Sequence, residues 1–575
     1  MSKFSSTIVS RGACAVLLAS LVGCASMPGG GGAGDVVASA LPDVADWDAI
    51  KLASGEVVVG FHDAERNVQI RRGGETIYNS EQDFPGGALS GIALAEQGER
   101  IWWAYRPKEP VREISVRSSD GIAFGFDEGT LALPRITLHP VGEDALDVFW
   151  TGERPVANAP REFAVSRAIY NDGLQGFEDV HYGELPKLTR LEDGRLFVVL
   201  NHHYNEGGHV SAWIGSEGGG GALHRVASRV ASVQPVGGFA SGNRMFAYWN
   251  NESEYQNRRN RLELAWSDDG VNWTPANFNW DPINFPTQVS AAGDGNGNLL
   301  MAVFASVPSV GDKRIERVKL YSSQDGGASW RGPFDARTDT FDYAKEGTMA
   351  VRSLDDGRFL LVWTDWRYVR PTLRYSVFDA ASGEAIVADA PFAKPANRPA
   401  ELSILTSNTV FVDNGVVTVV AQAPADDFNT FDLVKLQRSV ASLDDRTPEP
   451  KAPDMKRLEQ RVNAFGRAMV EKRFDDAYRF FDPHYRAAVP FEEFLKPLGR
   501  IVYKAYDFVE GGVQGVAGNA MVHIVAEVPA FTGPAGGRFE ASEREMETVT
   551  RWLWMDGDWY HEHFSQALEH RFTRY

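Results

Sequence analysis

Residues 297–304 read GNLLMAVF, a Gly-Asn turn followed by six apolar residues, which is typical of a buried β-strand. A turn residue followed by five to seven β-forming residues recurs along the chain, with starts about 43 to 60 residues apart. One such phrase per roughly fifty residues is the period of a four-stranded propeller blade. The pattern predicts a mainly β fold, a multi-bladed β-propeller over residues 45–441. The eight phrases favour eight blades within a range of six to eight. The other seven are Gly55–Phe61, Gly98–Tyr105, Asp144–Trp150, Gly194–Leu200, Asn243–Trp249, Gly357–Trp363 and Gly415–Ala421.

A second motif overlays this repeat and has the form S-x-D-x-G-x-x-W. In such a turn the Asp carboxylate accepts backbone N–H groups, Gly supplies a positive φ and the aromatic ring packs the turn against the sheet. We therefore assign these residues a structural role. The full motif is Ser323, Asp325, Gly327 and Trp330, a variant one residue shorter is Ser267, Asp269, Gly270 and Trp273, and a weaker third copy spans Ser118–Phe124.

These motifs on this period resemble the Asp-boxes of the sialidase superfamily, the bacterial neuraminidase repeat, over about 400 residues. The resemblance implies a site at one mouth of the propeller, away from the boxes, with arginines that hold a carboxylate, a Tyr–Glu pair and an acid/base Asp. Arg106, Arg367 and Arg398 are the candidate substrate-binding arginines. The Arg-Ile-Pro phrase of the family is missing, because Arg135-Ile136 follows a proline instead of preceding one.

Histidines offer a second chemistry. His181 closes the phrase Asp179-Val-His181, and His202 lies in Asn201-His202-His203-Tyr204. With Tyr248 and Arg261 in the next repeat, they resemble ulvan-type propeller lyases. There His and Tyr move protons, and a cation neutralises a uronate carboxylate so that the adjacent C–H becomes acidic. The alternative is that these histidines are structural or surface groups. Five of the twelve lie within 44 residues: His181, His202, His203, His209 and His224.

The stretch YWNNESEY, residues 248–255, is a candidate sugar-binding loop. Aromatic faces such as Trp249 and Tyr255 stack on sugar rings, and a carboxylate such as Glu252 reaches hydroxyl groups. Glu252 is also a candidate catalytic residue. The alternative is a polar hairpin loop with exposed aromatic side chains.

The first 24 residues have the features of an export signal. Lys3 and Arg11 precede the apolar run ACAVLLASLV, which is too short to span a bilayer permanently. The run ends in Leu21-Val22-Gly23-Cys24, which resembles the lipobox of bacterial lipoproteins. The resemblance implies lipidation of Cys24, anchoring in the cell envelope and, because no Asp follows the cysteine, delivery to the outer membrane. Residues 25–44 are predicted to be a flexible tether.

Charge and cysteine content exclude several functions. The chain has 58 Lys and Arg against 77 Asp and Glu, a formal net charge of −19, and no long basic stretch, which argues against nucleic-acid binding. Its two cysteines, Cys14 and Cys24, both lie in the leader, so the folded part has no cysteine nucleophile or cysteine metal site. We expect no cofactor and no metal.

The pattern changes after a Pro-rich, charged linker at residues 442–454. A helical stripe from Met455 to about Phe474, two shorter helices and then strands predict a small α+β, cone-shaped domain over residues 455–575. Helices followed by an aromatic-rich antiparallel sheet resemble the nuclear-transport-factor-two-like fold. That resemblance implies a homodimer formed through the sheet. His561 and His563 are assigned a structural role.

Two functions remain open at this point. The protein is either an enzyme that acts on acidic glycans, by sialidase-like hydrolysis or by elimination at a uronate, or a non-catalytic module that binds a glycan or an envelope protein.

Overall fold

The computed structural model describes residues 35–562 with short gaps, most of them in connections between strands. The gaps are 43–45, 84–87, 108–112, 128–135, 155–161, 183–187, 203–207, 229–231, 252–260, 282–283, 309–313, 339–345, 355, 369, 394–399, 404–408, 425–429, 446–451, 482–484, 487–488, 499–500, 515, 533–537 and 556. Within the described part, no helix combines the length and apolar character needed to cross a bilayer.

Eight antiparallel four-stranded sheets follow one another and form the blades of a propeller. The first four blades use consecutive strands. Blade 1 has β2 (Trp47–Lys51), β3 (Val57–His62), β4 (Val68–Arg72) and β5 (Glu75–Asn79); blade 2 has β6 (Ala88–Gln97), β7 (Arg100–Pro107), β8 (Glu113–Ser118) and β9 (Ala123–Asp127); blade 3 has β10 (Ile136–Val141), β11 (Ala145–Arg154), β12 (Glu162–Asn171) and β13 (Leu174–Tyr182); blade 4 has β14 (Leu188–Arg190), β15 (Arg195–His202), β16 (His209–Ser216) and β17 (Gly221–Ser228).

The next three blades repeat this order, and the eighth combines both ends of the propeller. Blade 5 has β18 (Ser232–Ser241), β19 (Arg244–Asn251), β20 (Arg261–Ser267) and β21 (Thr274–Pro275); blade 6 has β22 (Phe285–Gly293), β23 (Leu299–Pro308), β24 (Arg314–Ser323) and β25 (Arg331–Asp335); blade 7 has β26 (Glu346–Leu354), β27 (Arg358–Tyr368), β28 (Arg370–Asp379) and β29 (Ala385–Pro391); blade 8 has β30 (Val410–Asp413), β31 (Val416–Pro424), β32 (Phe431–Ser439) and, on its outer edge, β1 (Asp35–Leu41). Short 3-10 helices lie at Ser80–Gln82 and Val440–Ser442.

The propeller prediction is confirmed, and each of the eight sequence phrases overlaps the second strand of a blade. These strands are continuous apolar runs because both of their faces are covered by neighbouring blades. In β27, for example, Leu360 and Val362 join the core between blades 7 and 8, whereas Leu361 and Trp363 join the core between blades 6 and 7.

The prediction of a flexible tether over residues 25–44 is wrong for its second half, which contains a strand. Residues 35–41, assigned to a flexible segment, form β1 and pair with β32 of the last blade, with Asp35 opposite Lys435 and Leu41 opposite Phe431. Leu41 is fully buried. The apolar side of this short strand is satisfied by residues about 400 positions away, which the local, Gly-flanked sequence does not reveal.

A buried ion pair within blade 3 also binds the backbone of blade 4. Arg167 and Asp147 have no exposed side-chain surface, and their side chains are 2.5 Å apart between Nη2 and Oδ2. The same Asp147 oxygen accepts the backbone N–H of Gly218 at 3.1 Å, and Arg167 donates to the carbonyl of Ser216 at 3.0 Å. The pair therefore ties the hairpin turn of blade 4 to the second and third strands of blade 3.

The C-terminal domain is α+β, as predicted. A four-stranded antiparallel sheet in the order β33-β34-β37-β38 carries α1, whose Leu458, Val462 and Phe465 pack into one aromatic-rich core. Its elements are α1 (Met455–Val470), α2 (Phe474–Tyr478), α3 (Phe491–Leu498), β33 (Val502–Gln514), β34 (Ala517–Val528), β35 (Phe531–Thr532), β36 (Arg538–Phe539), β37 (Ser542–Met555) and β38 (Asp558–His561).

Candidate functional site

The two ends of the propeller differ in chemistry. Because strands alternate in direction, the second strand of every blade runs towards the same end, which we call the strand-end face. The opposite end, the turn face, carries the tight turns between first and second strands and the Asp-box turns. At the strand-end face, the apolar run of each second strand is followed by a polar residue. In chain order these residues are His62, Arg106, Thr151, Asn201, Asn250, Ser306, Thr364 and Gln422.

Most of these polar groups are buried, so the strand-end face has a polar rim beneath its surface. The Gln422 side chain shows how the rim is ordered. Its Oε1 accepts the indole N–H of Trp47 at 3.2 Å, and its Nε2 donates to Glu401 at 3.0 Å. Long connections between blades leave and enter at this end, which is where a propeller places ligands.

The predicted histidines lie on two adjacent blades at this face. His181 is near the end of β13 in blade 3, opposite Val165, and His202 is the last residue of β15 in blade 4. For both, the structure describes the backbone only. His202 pairs directly with His209, whose side chain is buried. Three histidines therefore occupy strand ends within one sector of the strand-end face.

Arg261 extends this sector to blade 5. It is the first residue of β20, directly opposite Asn251, and its side chain is exposed. The nearest carboxylate is Glu263, with 3.7 Å between Nε and Oε1, and Glu263 accepts the indole N–H of Trp249 at 2.9 Å. Trp249 itself is buried, so its ring is not available for stacking on a sugar as predicted. Arg261 presents a guanidinium to solvent beside the histidine strand ends.

Tyr248, predicted to transfer protons, lies in an apolar core. Its side chain packs between blades 5 and 6 with Phe246, Leu262 and Leu264, and burial raises the pKa of its hydroxyl well above the usual range. A Cβ on Gly237 would lie 2.5 Å from the hydroxyl oxygen, which explains why glycine is required there. This enclosure favours a packing role.

A charged cluster between blades 6 and 7 was not predicted. Glu346 and Asp365 are buried carboxylates, and the Nε of Arg337 lies 3.8 Å from an oxygen of each. Glu346 also accepts the backbone N–H of Val318. Burial, and then the negative charge of Asp365, raise the pKa of Glu346 to about 8. Arg367, a predicted substrate-binding arginine, is two positions after Asp365 on β27, and its side chain is not described.

The remaining predicted site residues divide into two groups. Arg106 is buried at the end of β7, on the strand-end face. Cys24, Glu252, Tyr255, Arg398 and His563 lie outside the described residues. Within the described part of the chain, no three His, Cys, Asp or Glu side chains come together in an arrangement that could hold a metal ion.

The two stronger Asp-boxes form turns at the opposite end. Asp269 accepts the N–H groups of Val271 and Asn272, each at 2.8 Å, and these bonds lower the pKa of its carboxyl. In blade 6, Asp325 accepts the N–H of Ser329 at 2.9 Å, and the Trp330 indole donates to the carbonyl of Gly327 at 3.0 Å. Both carboxylates are occupied by turn contacts.

No protein-family model matches this chain, and no curated protein matches it. Solved structures do. The polysaccharide lyase Uly1 is 11% identical with a TM-score of 0.41, covering 64% of this chain and 93% of the lyase. An α-L-arabinofuranosidase from Fusarium graminearum is 10% identical with a TM-score of 0.33, covering 53% and 92%. The β-propeller domain of the trilobed protease from Pyrococcus furiosus is 14% identical with a TM-score of 0.34, covering 61% and 97%. Similarities this low carry no information on activity. The described residues form a β-propeller of eight blades followed by an α+β domain.

Proposed function

We propose that this protein binds an acidic polysaccharide at the strand-end face and cleaves it by β-elimination in the sector formed by blades 3 to 5. The observation that carries the proposal is the placement of His181, His202 and exposed Arg261 at the same end of three consecutive blades. Imidazole is the side chain best suited to moving protons near neutral pH, and guanidinium binds carboxylates.

The reaction follows from these two groups. Arg261 neutralises the carboxylate of a uronate residue, which stabilises the negative charge that develops when the neighbouring C5 proton leaves. One histidine takes that proton. The C4–O bond then breaks, a C4=C5 double bond forms, and a second histidine gives a proton to the departing oxygen. This scheme uses two histidines and does not need Tyr248, whose side chain is enclosed by apolar side chains.

The sialidase-superfamily assignment is part of the proposal. Its support is the pair of Asp-box turns at Ser267–Trp273 and Ser323–Trp330, on the turn face and away from the histidines. Sialidase-like hydrolysis is therefore the alternative that any assay must include.

The assay compares the purified full chain on a uronate polysaccharide and on a fluorogenic sialoside. We expect an increase in ultraviolet absorbance from the unsaturated uronate and no release of the fluorophore. His202→Ala and Arg261→Ala should each lower the rate by about 100-fold or more, whereas His224→Ala, on the outermost strand of blade 4, should not. Binding of the uronate polymer without an unsaturated product would identify a non-catalytic module instead.

We also propose lipid anchoring at Cys24, supported by the apolar run and the lipobox-like residues before it. Two or more acyl chains make such an anchor stable. Cys24→Ser should move the protein from the membrane fraction to the soluble fraction, and retention in the membrane fraction would contradict the anchor.

The homodimer expected from the C-terminal domain stays a proposal. Its support is exposed Val549, opposite half-buried Met521, on the side of the sheet away from α1. Val549→Glu should lower the mass measured by light scattering from that of a dimer to that of a monomer; a mass unaffected by the substitution would argue against pairing through this face.

A further inference from the structure

The strong Asp-box turns close the space between neighbouring blades. Trp273 of blade 5 stacks on Phe197 of blade 4, with ring centroids 5.8 Å apart and planes at 25°. Trp330 of blade 6 belongs to the core between blades 5 and 6. The turn glycines are equally close: a Cβ on Gly270 would lie 2.0 Å from Ile214 of blade 4. Each box therefore fills the gap to the preceding blade.

The weak box of blade 2 does not do this. In blade 5, Trp266 pairs with Thr274, which puts Ser267 opposite Trp273. In blade 2, Arg117 pairs with Ala123, so Ser118 is opposite Ile122 and the turn is two residues shorter.

The shorter turn sends the box aromatic residue to the other side of the sheet. Phe124 stacks on Tyr170 of blade 3, with centroids 4.6 Å apart and planes at 3°. No atom of the described residues lies within 4 Å of a Cβ placed on Gly121, in contrast to the glycine in the blade 5 box. The space that an Asp-box tryptophan fills elsewhere is open here.

This open space is a cleft of about 330 Å³ between blades 1 and 2, within the size range of small-ligand sites. Its wall includes the rings of Trp103 and Tyr78, with centroids 5.1 Å apart. The indole N–H of Trp103 is buried and has no hydrogen-bond acceptor among the described residues.

The charges around the cleft favour an uncharged ligand. Arg72 is bound by Glu56 at 2.7 Å, and Arg117 lies 3.3 Å from Asp83, so each guanidinium has a carboxylate partner. The N–H groups of both arginines and the hydroxyl of Ser119 are polar groups that a sugar hydroxyl can contact. The half-buried ring of Tyr78 offers a surface for the C–H face of a sugar ring.

We propose that the cleft between blades 1 and 2 binds a neutral pyranose unit of a glycan, as a second site on the turn face. This site is separate from the histidine sector, and binding in the cleft does not depend on elimination in that sector. It gives the propeller an uncharged contact with a polysaccharide whose acidic residues meet the strand-end face.

The test is calorimetric titration of the full chain with hexameric oligosaccharides of glucose, galactose and mannose, and with a uronate hexamer. We expect at least one neutral hexamer to bind. Ala123→Trp, which puts an indole into the cleft, should weaken that binding at least tenfold. The matched control is Val271→Trp, an exposed position in the blade 5 turn where Trp273 already fills the gap.

A second filling variant, Ala123→Phe, guards against misfolding of the first, and the melting temperature of each variant is measured alongside. His202→Ala should leave neutral-hexamer binding unchanged, and Ala123→Trp should leave elimination unchanged, so the two proposals can fail separately. The cleft proposal is overturned if no neutral hexamer binds, or if binding survives in both folded filling variants.

Discussion

Glu346 and Asp365 are direct cross-strand partners at the strand-end face of blade 7, and the Nε of Arg337 lies 3.8 Å from an oxygen of each. Arg337 comes from the connection after blade 6, and Val318, whose N–H Glu346 accepts, lies in β24 of that blade. Two buried acids therefore hold two blades together, and one of them is protonated more readily than an ordinary glutamate.

This arrangement predicts a pH-dependent stability. The pKa of Glu346 is raised from 4.5 to about 8, so folding favours its protonated form. That contribution is complete below pH 4.5 and is lost as the pH rises through 8. One pKa unit corresponds to about 1.4 kcal/mol, so the full loss is on the order of 5 kcal/mol. Glu346→Gln, which cannot ionise, should lack this loss.

The measurement is the melting temperature from pH 5 to pH 9. Relative to Glu346→Gln, the native protein should become progressively less stable as the pH rises, and exposed Glu384→Gln should follow the native curve. Parallel curves for the native protein and Glu346→Gln would show that the carboxyl does not titrate in this range.

The buried pair Arg167–Asp147 predicts strong coupling. Removing one partner leaves the other charge buried and alone, which costs about 3–5 kcal/mol. Asp147→Leu and Arg167→Met should each destabilise the propeller by about this amount in urea unfolding. The double variant should lose much less than the sum, because no unpaired charge remains. Additive losses would show that the two side chains act independently.

The closure of blade 8 by β1 predicts the effect of truncation. A chain that begins at Asp35 keeps β1 and should melt like the full chain. A chain that begins at Asp46 exposes the edge of β32 and loses the buried Leu41 and Ala38, so it should melt at a clearly lower temperature. Equal melting temperatures would show that β1 does not contribute to the closed ring.

The sequence predicted the second strands well, because strands covered on both faces are continuous apolar runs such as LLMAVF in β23. It also predicted three helices before the strands of the C-terminal domain, and the described residues form α1, α2 and α3 there. It did not predict β1. The pairing of Asp35 with Lys435 is a contact between the ends of the propeller, and no local pattern encodes it.

The candidate site was predicted only in part, for a similar reason. His202 and Arg261 were recognisable as chemistry-bearing residues beside strand ends, and strand direction then places them at one face. The Glu346 cluster draws on positions 318, 337, 346 and 365, which are ordinary residues in their own neighbourhoods. Only the packing of two blades brings them together.

The most direct test of the central claim is hydrogen exchange of the full chain with and without a uronate oligosaccharide. The account predicts slower exchange at the strand-end face of blades 3 to 5, in residues 198–202, 209–212 and 247–251. The Asp-box turns at 267–273 and 323–330 should exchange at the same rate in both samples. Protection confined to those turns, with none at the strand ends, would contradict the account.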